Sequence, residues 1–186
     1  MSTRMSRKEV LDSVQSNIQN EDRIRQILVT EAVMRALAKR LGKDIKEWGI
    51  TGLLYDIDVE LVEDDPSSHG RLGADIAREL GANETMTHAI LCHNAANGIP
   101  QETELDESLC CAISLSKLLI STISNHLDDL SKLTVKSVID NSKEGVNDYT
   151  AEEEQIALCT KLGLEKEEFI ALGIETIKDM PPELKI

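Results

Sequence analysis

Apolar residues recur along this chain every three or four positions, which is the spacing of one face of an α-helix. The longest such stripe runs from Ile24 to Leu41, and shorter stripes follow toward the carboxyl end. No stretch sustains the alternation of apolar and polar residues that a half-buried strand requires. The pattern therefore predicts an all-α fold of about seven to nine helices.

Capping residues and glycines mark where these helices begin and end. Ser6 and Glu9 form a capping-box pattern, which predicts a first helix that reaches about Ile18. Asn20 precedes the long striped helix, and Gly42 ends it. Further helices are predicted from Asp44 to Asp56, His69 to Leu80, Asn83 to His93, Asp106 to His126, within 133–149, Ile156 to Leu162 and Lys166 to Lys178.

One short stretch combines an apolar run with acidic residues. The run from Ile50 to Leu54 leads directly into Tyr55 and Asp56. Ionised carboxylates are seldom buried without a partner, so Asp56 is either part of a salt bridge at a helix end or a metal ligand. The acidic segment that follows, 58–68, contains a proline and is predicted to be a loop.

Composition and charge narrow the classes of partner. The chain has 186 residues, of which 41% are hydrophobic and only 2% are aromatic. This length and apolar content suit one domain with a core of aliphatic side chains. The net charge of −14 repels phosphate backbones and anionic membranes, and few aromatic rings are present to stack on bases. We therefore expect neither a nucleic-acid partner nor a membrane.

The cysteines indicate a reducing compartment. The four cysteines include no Cys-x-x-Cys pair, and we expect them to be reduced core residues. We also expect no signal peptide and no apolar segment long enough to span a bilayer. These features predict a cytoplasmic protein.

Several short segments occur in a characteristic order. Glu31 to Ala38 lies on the long helix, Gly52 to Asp58 follows, and His69-Gly70 comes next. His88-Ala89-Ile90 and His93-Asn94 complete the series. This order resembles the HD-domain superfamily of metal-dependent phosphohydrolases, in the small single-domain branch often labelled HDIG.

The resemblance implies both a fold and a chemistry. The fold is an HD-domain-like helical bundle that forms one domain over 1–186, with a core of about 22–127 and a C-terminal helical extension of about 128–186. Active members of the family hold divalent metal through a histidine on the first long helix, a His-Asp doublet and a distant aspartate. Such a metal lowers the pKa of a bound water, which then attacks a phosphoester.

This chain departs from that ligand pattern at three of the four positions. The first histidine corresponds to Gln26, the histidine of the doublet to Tyr55, and the distant aspartate to Ser114. The aspartate of the doublet is kept as Asp56. The resemblance also implies a lysine-rich run near 139–143, where this chain has little positive charge. Together these differences predict a degenerate metal site.

Asp56, His69 and His93 remain as ligands for one metal ion. The resemblance implies that histidines at these places help to hold a second ion, and two histidines with one carboxylate are a known ligand set. The alternative is that His69 caps a helix start and His93 lies in a polar pocket. His88 points about 140° away from His93 on a helix, so we interpret it as structural.

Two functions stay open at this point. In the first, the protein is catalytically inactive, has no cofactor, and binds a small phosphorylated molecule or a protein in a pocket formed by Gln26, Glu31, Tyr55 and Ser114. Glu31 is either a supporting group of that pocket or a solvated helix residue. In the second, the residual ligands hold one divalent ion (Mn, Fe, Ni or Mg) and the protein is a working phosphohydrolase. The oligomeric state is left open.

Overall fold

Every regular element that the structure describes is helical. The computed structural model describes residues 5–62, 65, 67–126, 130–144 and 154–181, and these ranges contain no strand. The prediction of an all-α fold is therefore confirmed. The helices are α1 Arg7–Asn17, α2 Glu21–Leu41, α3 Ile45–Leu54, α4 Arg71–Leu80, α5 Glu84–Cys92, α6 Glu104–His126, α7 Val135–Glu144 and α8 Lys166–Asp179, with 3-10 turns at Ala95–Asn97, Leu130–Lys132 and Leu158–Leu162.

The first two helices begin where their capping residues predict. The Ser6 hydroxyl accepts the N–H of Glu9 at 3.2 Å, and the Glu9 carboxylate accepts the N–H of Ser6 at 3.0 Å. Asn20 accepts two N–H groups of the first turn of α2, and Gly42 ends that helix with a left-handed φ of 67°. These caps satisfy backbone groups that a helix end leaves without partners, so the boundaries follow from local sequence.

Two other helices begin away from the predicted first residue. Helix α6 begins two residues before Asp106. Here Thr103 and Asp106 form a capping box, in which the Asp106 N–H donates to Thr103 Oγ1 at 3.2 Å and the Thr103 N–H donates to Asp106 Oδ2 at 2.8 Å. Helix α4 begins two residues after His69, because Gly70 has a left-handed φ of 82°. His69 therefore lies in a loop.

Helices α2 and α3 pack closely at Gly52. A Cβ atom at this position would lie 3.0 Å from the Cα of Glu31 and 3.1 Å from the side chain of Met34. Any larger residue would push the two helices apart, so glycine is required for this approach. The contact brings the end of α3, with Tyr55 and Asp56, against α2.

Helix α6 passes through the core and packs on α2, α5, α7 and α8. Its segment Glu104–Asn125 is long and apolar enough to cross a membrane by length and composition alone, which corrects the expectation that no segment is. However, 72% of its most apolar window is buried inside the protein. A core helix passes the same test, so this property assigns no membrane role.

The carboxyl-terminal part of the chain packs on the same core. Helix α8 contacts α2, α6 and α7, and it buries Phe169, Ile170, Ile174 and Ile177 as its apolar stripe predicts. The short helix predicted within 133–149 is present as α7, and 145–149 lie outside the described residues. The helix predicted from Ile156 is a short helical segment, 154–157, that continues into a 3-10 turn.

Candidate functional site

A cavity of about 440 Å³ lies where the end of α3 meets α2, α5 and α6. Six of the seven site residues singled out in the sequence line it, namely Gln26, Tyr55, Asp56, His69, His93 and Ser114. The structure therefore brings together residues that are far apart along the chain. Glu31 does not line this cavity.

Asp58 holds the loop that carries His69. Its side chain is fully buried, and Oδ2 accepts the N–H groups of Gly70 and Gly73 at 2.8 and 2.7 Å. A Cβ atom at Gly73 would lie 3.2 Å from this carboxylate, so the missing side chain lets α4 come close. The sequence predicted only that Asp58 begins an acidic loop and did not identify it as a site residue.

The other carboxylate oxygen of Asp58 orients His69. Asp58 Oδ1 accepts a hydrogen bond from His69 Nδ1 at 2.8 Å. Burial alone would raise the pKa of Asp58, but the His69 bond and the two glycine N–H groups outweigh burial and lower it. The same bond raises the pKa of His69. The pair therefore favours a carboxylate and an imidazolium.

Two asparagines at the end of α5 hold the backbone of His69. Asn94 Nδ2 and Asn97 Nδ2 both donate to the His69 carbonyl oxygen, at 2.9 and 3.0 Å. Asn97 also donates to the carbonyl of Leu91 at 2.9 Å, which ties the loop to α5. The sequence named Asn94 only as the neighbour of His93, and it gave no reason to select Asn97.

His93 lies at the carboxyl end of α5 and faces His69. Its Nδ1 lies 2.5 Å from the carbonyl oxygen of Ile90, which can only accept, so Nδ1 carries the hydrogen. Burial lowers the pKa of His93 to about 4. The ring is therefore neutral near pH 7, and its Nε2 presents a lone pair to the cavity.

The two histidines meet through their Nε2 atoms, which lie 3.1 Å apart. His69 already donates its Nδ1 hydrogen to Asp58, and Nε2 of His93 carries a lone pair and no hydrogen. A hydrogen bond between the two Nε2 atoms therefore requires a second proton on His69. An imidazolium at His69 would bridge Asp58 and His93 in this way, and Asp56 Oδ1 lies 3.4 Å from its Nε2.

The donor set of Asp56, His69 and His93 fits a divalent metal ion. Their ligand atoms all lie within 4.8 Å of one another. Two imidazoles and one carboxylate suit transition metals such as Fe, Mn or Ni. Each histidine has its other nitrogen bound to an oxygen acceptor, which is how proteins orient metal-bound imidazoles. A metal ion here would replace the second proton of His69.

Three of the predicted site residues present neutral groups to the cavity. Gln26 Nε2 donates to the Tyr55 hydroxyl at 3.2 Å, and Tyr55 is only 2% exposed. Burial raises the pKa of Tyr55, so its phenol stays protonated. Ser114 lines the cavity from α6. These three residues offer amide and hydroxyl groups, which are weak partners for a transition metal.

Glu31 holds α1 to α2 instead of serving the cavity. Its carboxylate accepts from Arg7 Nε and Nη2, both at 2.7 Å, and lies 3.7 Å from Arg35 Nη1. Glu31 is 3% exposed, so the expectation of a solvated residue is wrong. It is a buried ion-pair partner that anchors the first helix.

Two basic side chains line the cavity beside the imidazole and carboxylate groups. Arg23 comes from α2 and Lys117 from α6, and Arg23 Nη1 lies 3.8 Å from Asp56 Oδ2. Both also line an adjoining cavity of about 400 Å³, which reaches Ile120 and Ser121. An anion could therefore meet positive charge here, although the whole chain is strongly acidic.

The chain is similar in sequence to proteins named Ribonuclease Y. It is 31% identical over 113 residues to the protein of Nitratidesulfovibrio vulgaris, 30% over 118 residues to that of Oleidesulfovibrio alaskensis, and 28% over 114 residues to that of Geobacter metallireducens. These alignments cover 57, 60 and 57% of this chain but 21, 21 and 22% of the relatives. The chain thus spans about a fifth of the length of the curated relatives it matches. No family model matches it.

Proposed function

We propose that this chain forms a single HD-like domain. In the cavity around Asp56, His69 and His93, it binds one divalent metal ion and a phosphorylated ligand. The observation that carries the proposal is the convergence of these three groups, with both histidines oriented by acceptors behind them. The resemblance of the sequence motifs and the similarity to proteins named Ribonuclease Y support a phosphoester as the ligand class.

Each part of the site has a role in this proposal. Asp56, His69 and His93 hold the metal, which when bound supplies Lewis acidity to a phosphoryl oxygen. Asp58 keeps His69 in one tautomer and one orientation. The two cations of the cavity, Arg23 and Lys117, offset the charge of the phosphate.

We favour binding over rapid turnover because the ligand set suffices for one ion. Two-metal sites stabilise both the attacking and the leaving oxygen of a phosphoester. The residues at the lost ligand positions, Gln26, Tyr55 and Ser114, offer no charged group for a further ion. A protein with this site is expected to bind a phosphorylated ligand and to act as a sensor or regulator.

Metal content tests the proposal directly. We expect wild-type protein purified without chelator to hold one more equivalent of transition metal per chain than the Asp56→Ala variant. The reason is that Asp56 is the only carboxylate of the ligand set. Elemental analysis of both proteins measures the difference. The matched control is Asp75→Ala on the exposed face of α4, where Asp75 pairs with Arg78 at 2.7 Å. Equal metal content in wild type and Asp56→Ala would overturn the assignment.

The second candidate is a working metal-dependent phosphohydrolase that acts on RNA. The observation in its favour is that the relatives are named Ribonuclease Y, since a ribonuclease cleaves RNA. This name runs against the expectation of no nucleic-acid partner. Incubation of a short oligoribonucleotide with the Mn²⁺-loaded protein separates the two candidates. Cleavage above the Asp56→Ala background would establish the second candidate, and binding without cleavage would support the first.

The basic residues of the cavity lead to a further prediction. Replacing Lys117 with glutamine is expected to weaken binding of a short oligoribonucleotide by about tenfold and to reduce the salt slope by about 0.7, the value for one phosphate contact on a single strand. Fluorescence anisotropy at several salt concentrations measures both quantities. Lys39→Gln, an exposed site on α2 outside both cavities, is the control. The same affinity for both variants would place the ligand elsewhere.

A further inference from the structure

A second cluster of ligand-type side chains lies where α5 meets α6. His88 and Cys92 are four residues apart and share one face of α5, and Asp106 lies in the first turn of α6. His88 Nδ1 is 3.0 Å from Asp106 Oδ2. Ligand atoms of all three residues lie within 4.8 Å of one another. From sequence alone, His88 is interpreted as structural and Cys92 as a core residue.

Asp106 has an oxygen that its structural role does not use. Its side chain is fully buried, and Oδ2 accepts the N–H groups of Glu102 and Thr103 at 2.9 and 2.8 Å in addition to the His88 contact. Oδ1 is also buried and has no hydrogen-bond partner in the described part of the chain. A buried carboxylate oxygen without a partner is costly, and a bound cation would remove that cost. The helix cap explains only Oδ2.

Cys92 and His88 give this cluster both a soft ligand and access to solvent. Cys92 is 4% exposed and its thiol interacts with the Asp106 carboxylate. Its Sγ also lies 3.6 Å from the carbonyl oxygen of Ala89. The His88 side chain is 28% exposed. An ion could therefore reach the buried sulfur and carboxylate past the imidazole.

We infer that His88, Cys92 and Asp106 form a second metal site, suited to Zn²⁺ or a similar divalent ion, with water as the fourth ligand. One nitrogen, one sulfur and one oxygen donor are all groups that zinc binds, in a tetrahedral set. Binding converts the Cys92 thiol to a thiolate and releases one proton to solvent, so no redox partner is involved. The inference is independent of the proposed function, because it shares no ligand with the cavity site.

Cobalt titration tests this site by its sulfur ligand. Co²⁺ bound to a thiolate shows a sulfur-to-metal charge-transfer band in the near ultraviolet, which imidazole and carboxylate ligands do not produce. We expect chelator-treated wild-type protein to develop this band as Co²⁺ is added and to lose it when Zn²⁺ is added. The Cys92→Ser variant keeps a donor toward Ala89 and should show no band. Asp106→Asn should bind Co²⁺ at least about tenfold more weakly.

Two control variants separate this site from other possible sources of the charge-transfer band. Cys111→Ser changes another buried cysteine, whose Sγ lies 3.2 Å from the carbonyl of Gln155, and it should keep the band. Asp56→Ala removes the cavity ligand and should also keep it. Absence of the band in wild type, or its persistence in Cys92→Ser, would overturn the inference and leave a His-Asp helix cap. If Cys92→Ser loses its helical circular dichroism, the Asp106→Asn titration decides, and unchanged affinity there would overturn it.

Discussion

Replacing Asp58 with alanine is expected to destabilise the metal-free protein by about 3–5 kcal/mol. The substitution leaves the N–H groups of Gly70 and Gly73 without their acceptor in a buried site, and it removes the partner of His69 Nδ1. Urea unfolding in the presence of a chelator measures the change. Asp75→Ala, at an exposed position paired with Arg78, should change the free energy of unfolding by less than about 0.5 kcal/mol.

The free energy of unfolding lost in Asp58→Ala should also depend on pH in a defined way. The lowered pKa of Asp58 means that its contribution is present above the unfolded value of about 3.9 and is lost as pH falls through the folded pKa. The raised pKa of His69 means that the imidazolium contributes fully below about 6.5 and loses its contribution as pH rises through the folded pKa. The difference between wild type and Asp58→Ala is therefore expected to be largest between these values.

A conservative variant separates charge from hydrogen bonding at this position. Asp58→Asn keeps one oxygen for the glycine N–H groups but loses the negative charge that favours the His69 imidazolium. It should fold, lose less stability than Asp58→Ala, and lack most of the pH dependence. If the free energies of unfolding of wild type and Asp58→Asn differed by the same amount at every pH, Asp58 would act only as an acceptor for the loop.

Sequence could predict the helices because their ends depend on residues a few positions away. Ser6 with Glu9, Asn20 and Gly42 each act within one helical turn, and each lies where the pattern predicts. The exceptions have local causes too. Thr103 was not recognised as the capping partner of Asp106, and the left-handed conformation of Gly70 kept His69 out of α4.

The site was predictable only where the resemblance supplied it. Periodicity gives no reason for His69 and His93, 24 residues apart, to meet at their Nε2 atoms. Asp58 and its acceptor role were missed because its partner Gly73 lies 15 residues away across an acidic loop. A useful signal would have been a second acidic residue after a buried apolar run, followed along the chain by two glycines where a helix begins. The N–H groups of such glycines need an acceptor, and the acidic side chain can provide it.

Net charge was a poor guide to the cavity for a physical reason. The total of −14 sums over the whole surface, whereas the local field depends on which side chains face the site. Arg23 and Lys117 line the cavity from two different helices, and neither stands out in the sequence. The same limit applies to Glu31, whose burial depends on the docking of α1 through Arg7.

Replacing Asp56 with asparagine is expected to have opposite effects without and with metal. Asp56 is 8% exposed and its ionic contacts are long, 3.4 Å to His69 Nε2 and 3.8 Å to Arg23 Nη1. Burial raises the pKa of Asp56, so the ionised carboxylate lowers stability at pH values above about 3.9. Asp56→Asn should therefore raise the free energy of unfolding in chelator by about 1 kcal/mol.

If Asp56 is a ligand, bound metal reverses the order of stability of wild type and Asp56→Asn. At a Mn²⁺ concentration of about 100 times the dissociation constant, wild type should gain about 2.7 kcal/mol, because the ion binds only the folded state. Asp56→Asn should gain much less, so it becomes the less stable protein, and paired urea titrations in chelator and in Mn²⁺ measure the crossing. Asp75→Asn should respond to Mn²⁺ as wild type does. The opposite result would be an Asp56→Asn protein that is less stable than wild type in chelator and gains as much stability from Mn²⁺ as wild type does. Asp56 would then be a structural partner of Arg23, because a residue kept for its contacts stabilises the fold without any ion.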